Sequence, residues 1–279
     1  MREINVLKIR EAVAELCLKA NFELREDVLK ALRAALKKEN IPRAKDMLRA
    51  IIENARLAKK RRIAICQDTG FVSVFLEIGE DVVISGNIKE AINEGVEDAY
   101  KKGYLRKSVV SDPLLRKNTN TNTPCILNID IVEGDRLRVI VSPKGFGSEN
   151  KCAIKMFRPT DSEKNIINFV LDVVKNAGPD ACPPLILGIG IGGTFDHAAH
   201  LSKKALLRSI EIRNKNKRFR SLEKDLLKAV NSLKIGPMGL GGKTTALGVN
   251  VEEFSTHISG LPVAVGVSCH ATRSAQKIL

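Results

Sequence analysis

An α/β fold with mixed β-sheets behind an N-terminal helical layer is what this sequence predicts, and three observations carry the prediction. Residues 1–60 repeat apolar positions at helical spacing, the next stretch switches to short runs of β-type residues, and helix-type and strand-type segments then alternate to the end between Gly and Pro punctuation. No internal repeat, low-complexity tract or long linker interrupts the 279 residues, so one catalytic α/β domain over 1–279 is expected, with 1–60 as its helical part.

From Val6 to Ala20, the apolar Val6, Ile9, Val13, Leu16 and Cys17 share one helical face and Lys8, Arg10, Glu11 and Lys19 the other, the pattern of a core-facing helix. Charged Met1-Arg2-Glu3-Ile4 reads as the opening of that helix and not as a signal peptide. Two more helices follow, Asp27 to Lys37 capped by Asp27 and Arg43 to Lys60 behind Pro42. Short β-type runs come next at Arg62 to Cys66 and Val72 to Ile78. A hairpin-like pair is then expected, Cys125 to Val132 and Arg136 to Ser142 about Glu133-Gly134-Asp135. Helices are expected near Ile88 to Lys102 and Asp161 to Asn176. Past Gly178-Pro179 and Pro183-Pro184, Leu185 to Ile191 reads as a buried strand, with helices at Ala198 to Ile212 and Ser221 to Leu233. A last strand pair, Thr244 to Val251 and Val263 to Ser268, closes the chain.

The composition narrows the function. With 44% apolar and 28% charged residues the chain can bury a core, and no stretch approaches the roughly 18–20 apolar residues of a membrane span, so no membrane association and a cytoplasmic location are expected. The net charge of +14 is spread along the helices, and Trp is absent, so neither a basic arm nor a stacking platform for nucleic acid stands out. A Lys/Glu-rich solvated surface, or a field that attracts anionic substrates, accounts for the charge instead.

Glycine and polar residues collect beside predicted strands at 66–70, 118–124, 144–151, 188–194 and 236–245, the kind of loops whose backbone amides approach small anions. Gly188 to Gly193 fits GxGxxG and competes as a dinucleotide site of a dehydrogenase, with Glu211 near the expected acidic position. The preceding Cys-Pro-Pro and the missing second half argue against it. Gly241-Gly242-Lys243-Thr244 imitates a P-loop end, but Pro237 stands where its first glycine belongs. His197 and His200 could pair on a metal, yet neighbouring Asp196 points off their face.

Six cysteines occur without a CxxC pair or the density of a disulfide scaffold. Cys17 lies on an apolar helix face and Cys125 alternates with Leu127, Ile129 and Ile131, so both read as small core residues; Cys152 is bland. Cys66, Cys182 and Cys269 sit at strand-to-loop junctions, where thiolates could converge on a metal or cluster.

The strings ICQDTG at Cys66, SDPLLRKNTNTNTP from Ser111, SPKGFGSENK from Ser142, ACPP at Cys182, GIGGT from Gly190, GGKTT from Gly241 and PVAVGVSCHATR from Pro262 together resemble the α region of class I fumarases and tartrate dehydratases, from about Ile63 to the C-terminus. The resemblance implies an Fe-S hydro-lyase α-type domain with a 4Fe-4S cluster held by Cys66, Cys182 and Cys269. One iron would stay open to bind a substrate carboxylate and hydroxyl as a Lewis acid.

It further implies Asp68 as the acid–base carboxylate, against a plain role in capping the following turn. Arg106 would be a bidentate carboxylate binder, and Gln67, Gly145 and Gly147 would line the substrate site, the glycines through their backbone amides. His257 would bind substrate or relay a proton, against a structural hydrogen bond; Asn122 and Lys151 would line the cavity. Single-chain members continue into a second domain, whereas this chain stops at Leu279. It therefore resembles the two-subunit form, and a separate β subunit in an αβ or α2β2 assembly is expected to complete the site. The implied reaction is reversible hydration of fumarate to L-malate, with L-tartrate dehydration as the alternative small-dicarboxylate reaction.

Overall fold

A computed structural model describes residues 1–279 as two compact units, Met1–Arg25, Asn54–Phe146 and Arg273–Leu279 forming the first and Glu26–Glu53 with Gly147–Thr272 the second. No helix is long and apolar enough to cross a membrane.

The first unit is built on a four-stranded sheet in the order β10 (Ala275–Ile278), β5 (Leu137–Lys144), β2 (Phe71–Gly79), β4 (Ile126–Val132), with a two-stranded parallel ribbon of β1 (Arg2–Asn5) and β3 (Val82–Ser85). Helices α1 (Val6–Phe22) and α4 (Ile88–Lys102) pack together, and α1 covers β5 and β10. Their apolar faces meet in a core of Ile9, Val13, Leu16 and Cys17 with Val72, Val74, Leu76, Val139, Val141, Val96 and Tyr100. Helix α1 begins where expected because Asn5 caps it, its side chain accepting from Leu7 N at 2.9 Å, and α4 is capped likewise by Asn87. The residues before Asn5 form a strand and not the opening of the helix.

Two further expectations fail in this unit. Arg62 to Cys66 is a loop, because the backbone of Ile65 bonds to Asn21 O and to Asn54 Nδ2, leaving it no strand partner. The Cys125 to Ser142 hairpin does not form either. Strand β2 lies between β4, its parallel neighbour, and β5, its antiparallel one. The connection through Gly134 crosses the end of β2, with Gly79 N donating to Arg136 O and a Gly79 Cβ excluded because it would fall 2.2 Å from Gly134 O. Strand β4 is thus an edge, and Ile129 and Ile131 are exposed and not in the core. Cys125 is half-buried beside a cavity of about 330 Å³ lined by Lys89, Ile92, Asn93 and Leu127.

The second unit repeats this topology in its three long strands, its fourth strand preceding them in the chain instead of following. Its sheet runs β6 (Ala153–Phe157), β9 (Leu261–Ser268), β7 (Leu185–Gly193), β8 (Ala246–Thr256). The last two long strands are not paired with each other: β7 lies between them, parallel to β8 and antiparallel to β9. Side chains of β7 alternate. Leu185, Leu187, Ile189 and Ile191 join the core formed with α6 (Glu163–Ala177) and α8 (Lys217–Ser232). Gly188 and Gly190 face α7 (Phe195–Leu207). A Cβ on Gly190 would lie 2.1 Å from Ala198 O and one on Gly188 2.3 Å from Ser202 O, so the GxGxxG-like run is a strand that admits a helix at close range. It is not the strand-to-helix turn of a dinucleotide site, and Glu211 pairs with Lys30.

The remaining helical layer, α2 (Glu26–Lys38) and the N-terminal part of α3 (Pro42–Arg61), belongs to the second unit, with Pro42 as the first residue of α3. Asp27 lies inside α2 instead of capping it, and its Oδ2 accepts from Ile210 N at 2.9 Å. Glu39, 2% exposed, ends α2 and accepts from the backbone N–H groups of Asn40, Ile41 and Lys243. Burial alone would raise its carboxyl, but those donors and the Lys243 charge outweigh it and hold the group below its ordinary value of 4.5. A depressed carboxylate stabilises the fold above its unfolded value and loses that contribution as pH falls through the folded one. The stability gap between wild type and Glu39→Gln in urea titrations is therefore expected to be open at pH 7 and to close below pH 4.5. A gap that stays constant with pH would contradict this.

Candidate active site

In each unit the candidate cysteines and the residues beside them lie at one end of the sheet, where the central strand begins and its antiparallel neighbour ends. Cys66, Gln67 and Asp68 precede β2, which starts at Phe71, and Gly145 follows β5, whose Lys144 pairs with Phe71. Cys182 precedes β7 and Cys269 follows β9, whose Ser268 pairs with Ile186 of β7. In both units the two loops are bonded to each other.

In the first unit the bond joins Phe146 N to Asp68 Oδ2 at 2.8 Å, while Asp68 Oδ1 accepts from Gly70 N at 3.0 Å. The turn-capping role of Asp68 is thus present in the geometry, and a second donor fixes the other carboxylate oxygen. The backbone beneath Asp68 is held as well. Thr69 Oγ1 donates to Arg106 O at 2.6 Å, and the Tyr100 hydroxyl donates to Thr69 O and Gly70 O at 2.6 and 3.0 Å. Burial pushes the Tyr100 hydroxyl up, so it stays a proton donor. Asn122, fully buried, donates to Gly70 O at 3.2 Å and accepts from Ser108 N at 2.8 Å. One polar scaffold therefore joins the Asp68 turn to the segment carrying Arg106, whose side chain is exposed. Asn122 is its pin, not a lining group. Gln67 is exposed, with Oε1 accepting from Cys66 Sγ at 3.3 Å.

In the second unit, His270 places both its backbone N and ring Nδ1 on Cys182 O, at 3.2 and 3.0 Å. Cys182 has φ +54°, and the Cys269 carbonyl accepts from Thr272 Oγ1 at 2.8 Å. The backbones of Cys182 and Cys269 are thereby fixed to one another through His270. Lys151 pairs with Asp180 at 3.0 Å, and Gly147, exposed, lies near the Asp180 carbonyl. His257 stands apart, exposed in the turn joining β8 to β9, where its Nδ1 accepts from Ser259 N at 3.2 Å. That is the structural bond weighed against its catalytic role.

No disulfide joins any of the six cysteines. Their surroundings differ. Burial pushes the Cys17 thiol far up and Cys125 up to about 11, which keeps both protonated. Cys66, Cys182 and Cys269 are half-exposed on loops of fixed backbone, and a soft metal or iron–sulfur group wants thiolates so held. Cys66 belongs to the first unit and Cys182 and Cys269 to the second. No three His, Cys, Asp or Glu side chains cluster as a ready metal-ion site, which leaves the His197 and His200 pair without a third ligand. His197 packs its ring on Phe254 at 4.5 Å, and Thr194 and neighbouring backbone amides hold Asp196 below the usual carboxylate range.

The residues that sequence reasoning passed over are Asn21, Tyr100, Phe146 and Arg273. Phe146 and Arg273 lay inside motif strings, and nothing local marks Arg273: its partners are Asn21 and Asp68, far away in sequence.

Residues 10–277 match the family model described as fumarate hydratase (Fumerase). The chain is 46% identical over 278 residues to the putative L(+)-tartrate dehydratase subunit alpha of Methanocaldococcus jannaschii, covering 97% of each chain. It is 30% identical over 271 residues to the L(+)-tartrate dehydratase subunit alpha of Escherichia coli and to that of Shigella sonnei, covering 96% of this chain and 89% of theirs.

Proposed function

The chain belongs to the fumarate hydratase (Fumerase) family of hydro-lyases, and from that membership we propose that it is the α subunit of a 4Fe-4S enzyme that interconverts fumarate and L-malate. The observation that carries the reading is the fixed presentation of half-exposed cysteines: Cys66 two residues before a doubly held carboxylate in one unit, and Cys182 and Cys269 on bonded loops in the other. Cys66, Cys182 and Cys269 would hold the cluster. When bound, it supplies an iron without a protein ligand, a Lewis acid for the substrate's carboxylate and hydroxyl.

The chain's own groups do the rest. Arg106 grips a substrate carboxylate with its planar pair of donors, while Gln67 and the backbone amides of Gly145 and Gly147 line the rest of the substrate. In the dehydration direction Asp68, with a group of the β subunit, moves the proton from the carbon next to the one bearing hydroxyl, and hydroxide leaves that neighbour. His257 binds substrate or passes a proton at the rim. A separate β subunit would complete the site in an αβ or α2β2 assembly, a reading supported by the relatives named as alpha subunits along nearly their whole length. The same relatives' names favour a second substrate, L-tartrate, which loses water to oxaloacetate by the same steps with one more hydroxyl on the substrate.

Anaerobic preparation tests this directly. Brown protein with about four irons per chain is expected, lost on Cys66→Ser, Cys182→Ser or Cys269→Ser and kept in Cys17→Ser and Cys125→Ser. Turnover is expected only after mixing with the β subunit, and kcat/KM for L-malate against L-(+)-tartrate ranks the substrates. Colourless, iron-free protein after anaerobic reconstitution would overturn the proposal.

A further inference from the structure

Arg273 is 4% exposed, a guanidinium taken almost wholly out of water at the head of the last strand. Its terminal nitrogens go to neutral oxygens. Nη1 donates to Asn21 Oδ1 at 3.0 Å and Nη2 to the Asp68 carbonyl at 2.8 Å, while Nε is buried without a partner. Both acceptors are uncharged, and a neutral amide could have made either single bond. What the arginine adds is a rigid fork that spans two separate pieces of chain. One is the end of α1, where Asn21 is itself anchored to Cys17 O at 3.0 Å and its carbonyl accepts Ile65 N; the other is the Asp68 turn.

The fork also sits next to the carboxylate. A Cβ on Gly145 would lie 3.2 Å from Asp68 Oδ2 and 3.3 Å from Arg273 Nη2, so the missing side chain at 145 leaves room for the two groups to share one corner. Arg273 is anchored at its own backbone too, its carbonyl accepting from Ser142 Oγ at 3.1 Å. Tyr100 and Asn122 hold the backbone of the turn at residues 69 and 70, and Arg273 is the side chain that holds the carbonyl of residue 68 itself.

We propose that Arg273 is a positioning residue of this hydro-lyase, holding Asp68 in register for proton transfer by gripping its carbonyl from inside the core. The proposal rests on the reading of Asp68 as the acid–base group. It requires that Arg273 govern turnover and not cofactor loading or substrate affinity. A displacement of about 1 Å in a proton-transferring group costs on the order of 10²-fold in rate.

The test uses the αβ enzyme reconstituted anaerobically, with the better of L-malate and L-(+)-tartrate as substrate. Arg273→Lys keeps the charge but cannot reach both oxygens. It is expected to lower kcat on the order of 10²-fold with KM and iron content unchanged, and to speed amide hydrogen exchange at 66–70 but not in β2. In an Asp68→Asn background the same change is expected to have no further effect on kcat, because both act through one group. Should Arg273→Lys fail to fold, Asn21→Ala, which leaves the guanidinium but removes the oxygen that aims it, is expected to show the same split between kcat and KM. A kcat equal to wild type, a loss that tracks bound iron, or a full second loss on top of Asp68→Asn would each overturn the proposal. If Asp68→Asn alone keeps turnover, the Asp68 reading fails and this one with it. If Asp68→Asn is inactive while Arg273→Lys is normal, only the positioning role fails.

Discussion

Replacing Asp68 by asparagine is expected to lower kcat by about 10²–10⁴-fold, the usual contribution of a positioned general acid–base, while iron content and KM stay near wild type. Asparagine is the right probe because it separates the two jobs that the geometry gives this side chain. Its carbonyl oxygen can still accept from Gly70 N, so the turn survives; only the bond from Phe146 N to the second oxygen is lost. One neutral hydrogen bond is worth about 1 kcal/mol of stability, far too little to unfold a unit and unable to mimic a thousandfold kinetic loss. Anaerobic steady-state kinetics with iron quantification decides it. A variant that keeps a tenth of its turnover would leave Asp68 as a turn cap and nothing more.

How much of this site was legible in the sequence follows from the range of the forces involved. The turn at Asp68, the loops at Cys182 and Cys269, and the helices capped by Asn5 and Asn87 are local arrangements, written in a few neighbouring residues. The scaffold beneath them is not. Arg273 reaches Asp68 across 205 positions and Asn21 across 252, and no periodicity or spacing encodes such a meeting. The glycines of β7 show the same limit from the other side: their spacing imitated a nucleotide loop because both uses of glycine, close backbone approach to a phosphate or to a helix, remove the same Cβ.

Strand pairing failed for a related reason, and failed identically in both units. A tight connection after a strand normally signals a hairpin, and Glu133 to Arg136 and His257 to Gly260 are both tight. In each unit an earlier strand occupies the space between, parallel to one neighbour and antiparallel to the other. Two sequences without detectable self-similarity thus carry one topology, and the repetition has a functional consequence. It sets Asp68 in one unit and Cys182 in the other at the same position before a central strand, each bonded to the loop that leaves the antiparallel neighbour. The groups proposed to react are where two strand ends hold a loop from both sides.

The largest loss of stability is expected at Glu223, which the chemistry does not use. Its carboxylate is fully buried on α8 and accepts from Val251 N at 3.0 Å, Asn214 N at 3.2 Å and the Arg208 guanidinium, which also bonds Glu252 at 2.7 Å and the carbonyls of Ile212 and Val251. The site ties α8, the edge strand β8 and the segment after α7 with one anion, so truncating it strands the Val251 and Asn214 amides and takes one of two carboxylates from Arg208. Removing one partner of a buried ion pair costs about 3–5 kcal/mol, against a total stability of about 5–15 kcal/mol for a domain. Glu223→Ala is therefore expected to move the urea midpoint sharply down. Glu223→Gln, which keeps an acceptor but not the charge, should fall between the two. Since helix α7, which leads into that segment, packs on the glycine face of β7, the strand that Cys182 precedes, the same variant is expected to lose bound iron in proportion to its unfolded fraction and no faster. Iron lost from protein that is still folded by circular dichroism would mean that Glu223 acts on the site itself, and a loss below about 1 kcal/mol would mean that the buried anion is offset by interactions other than those named.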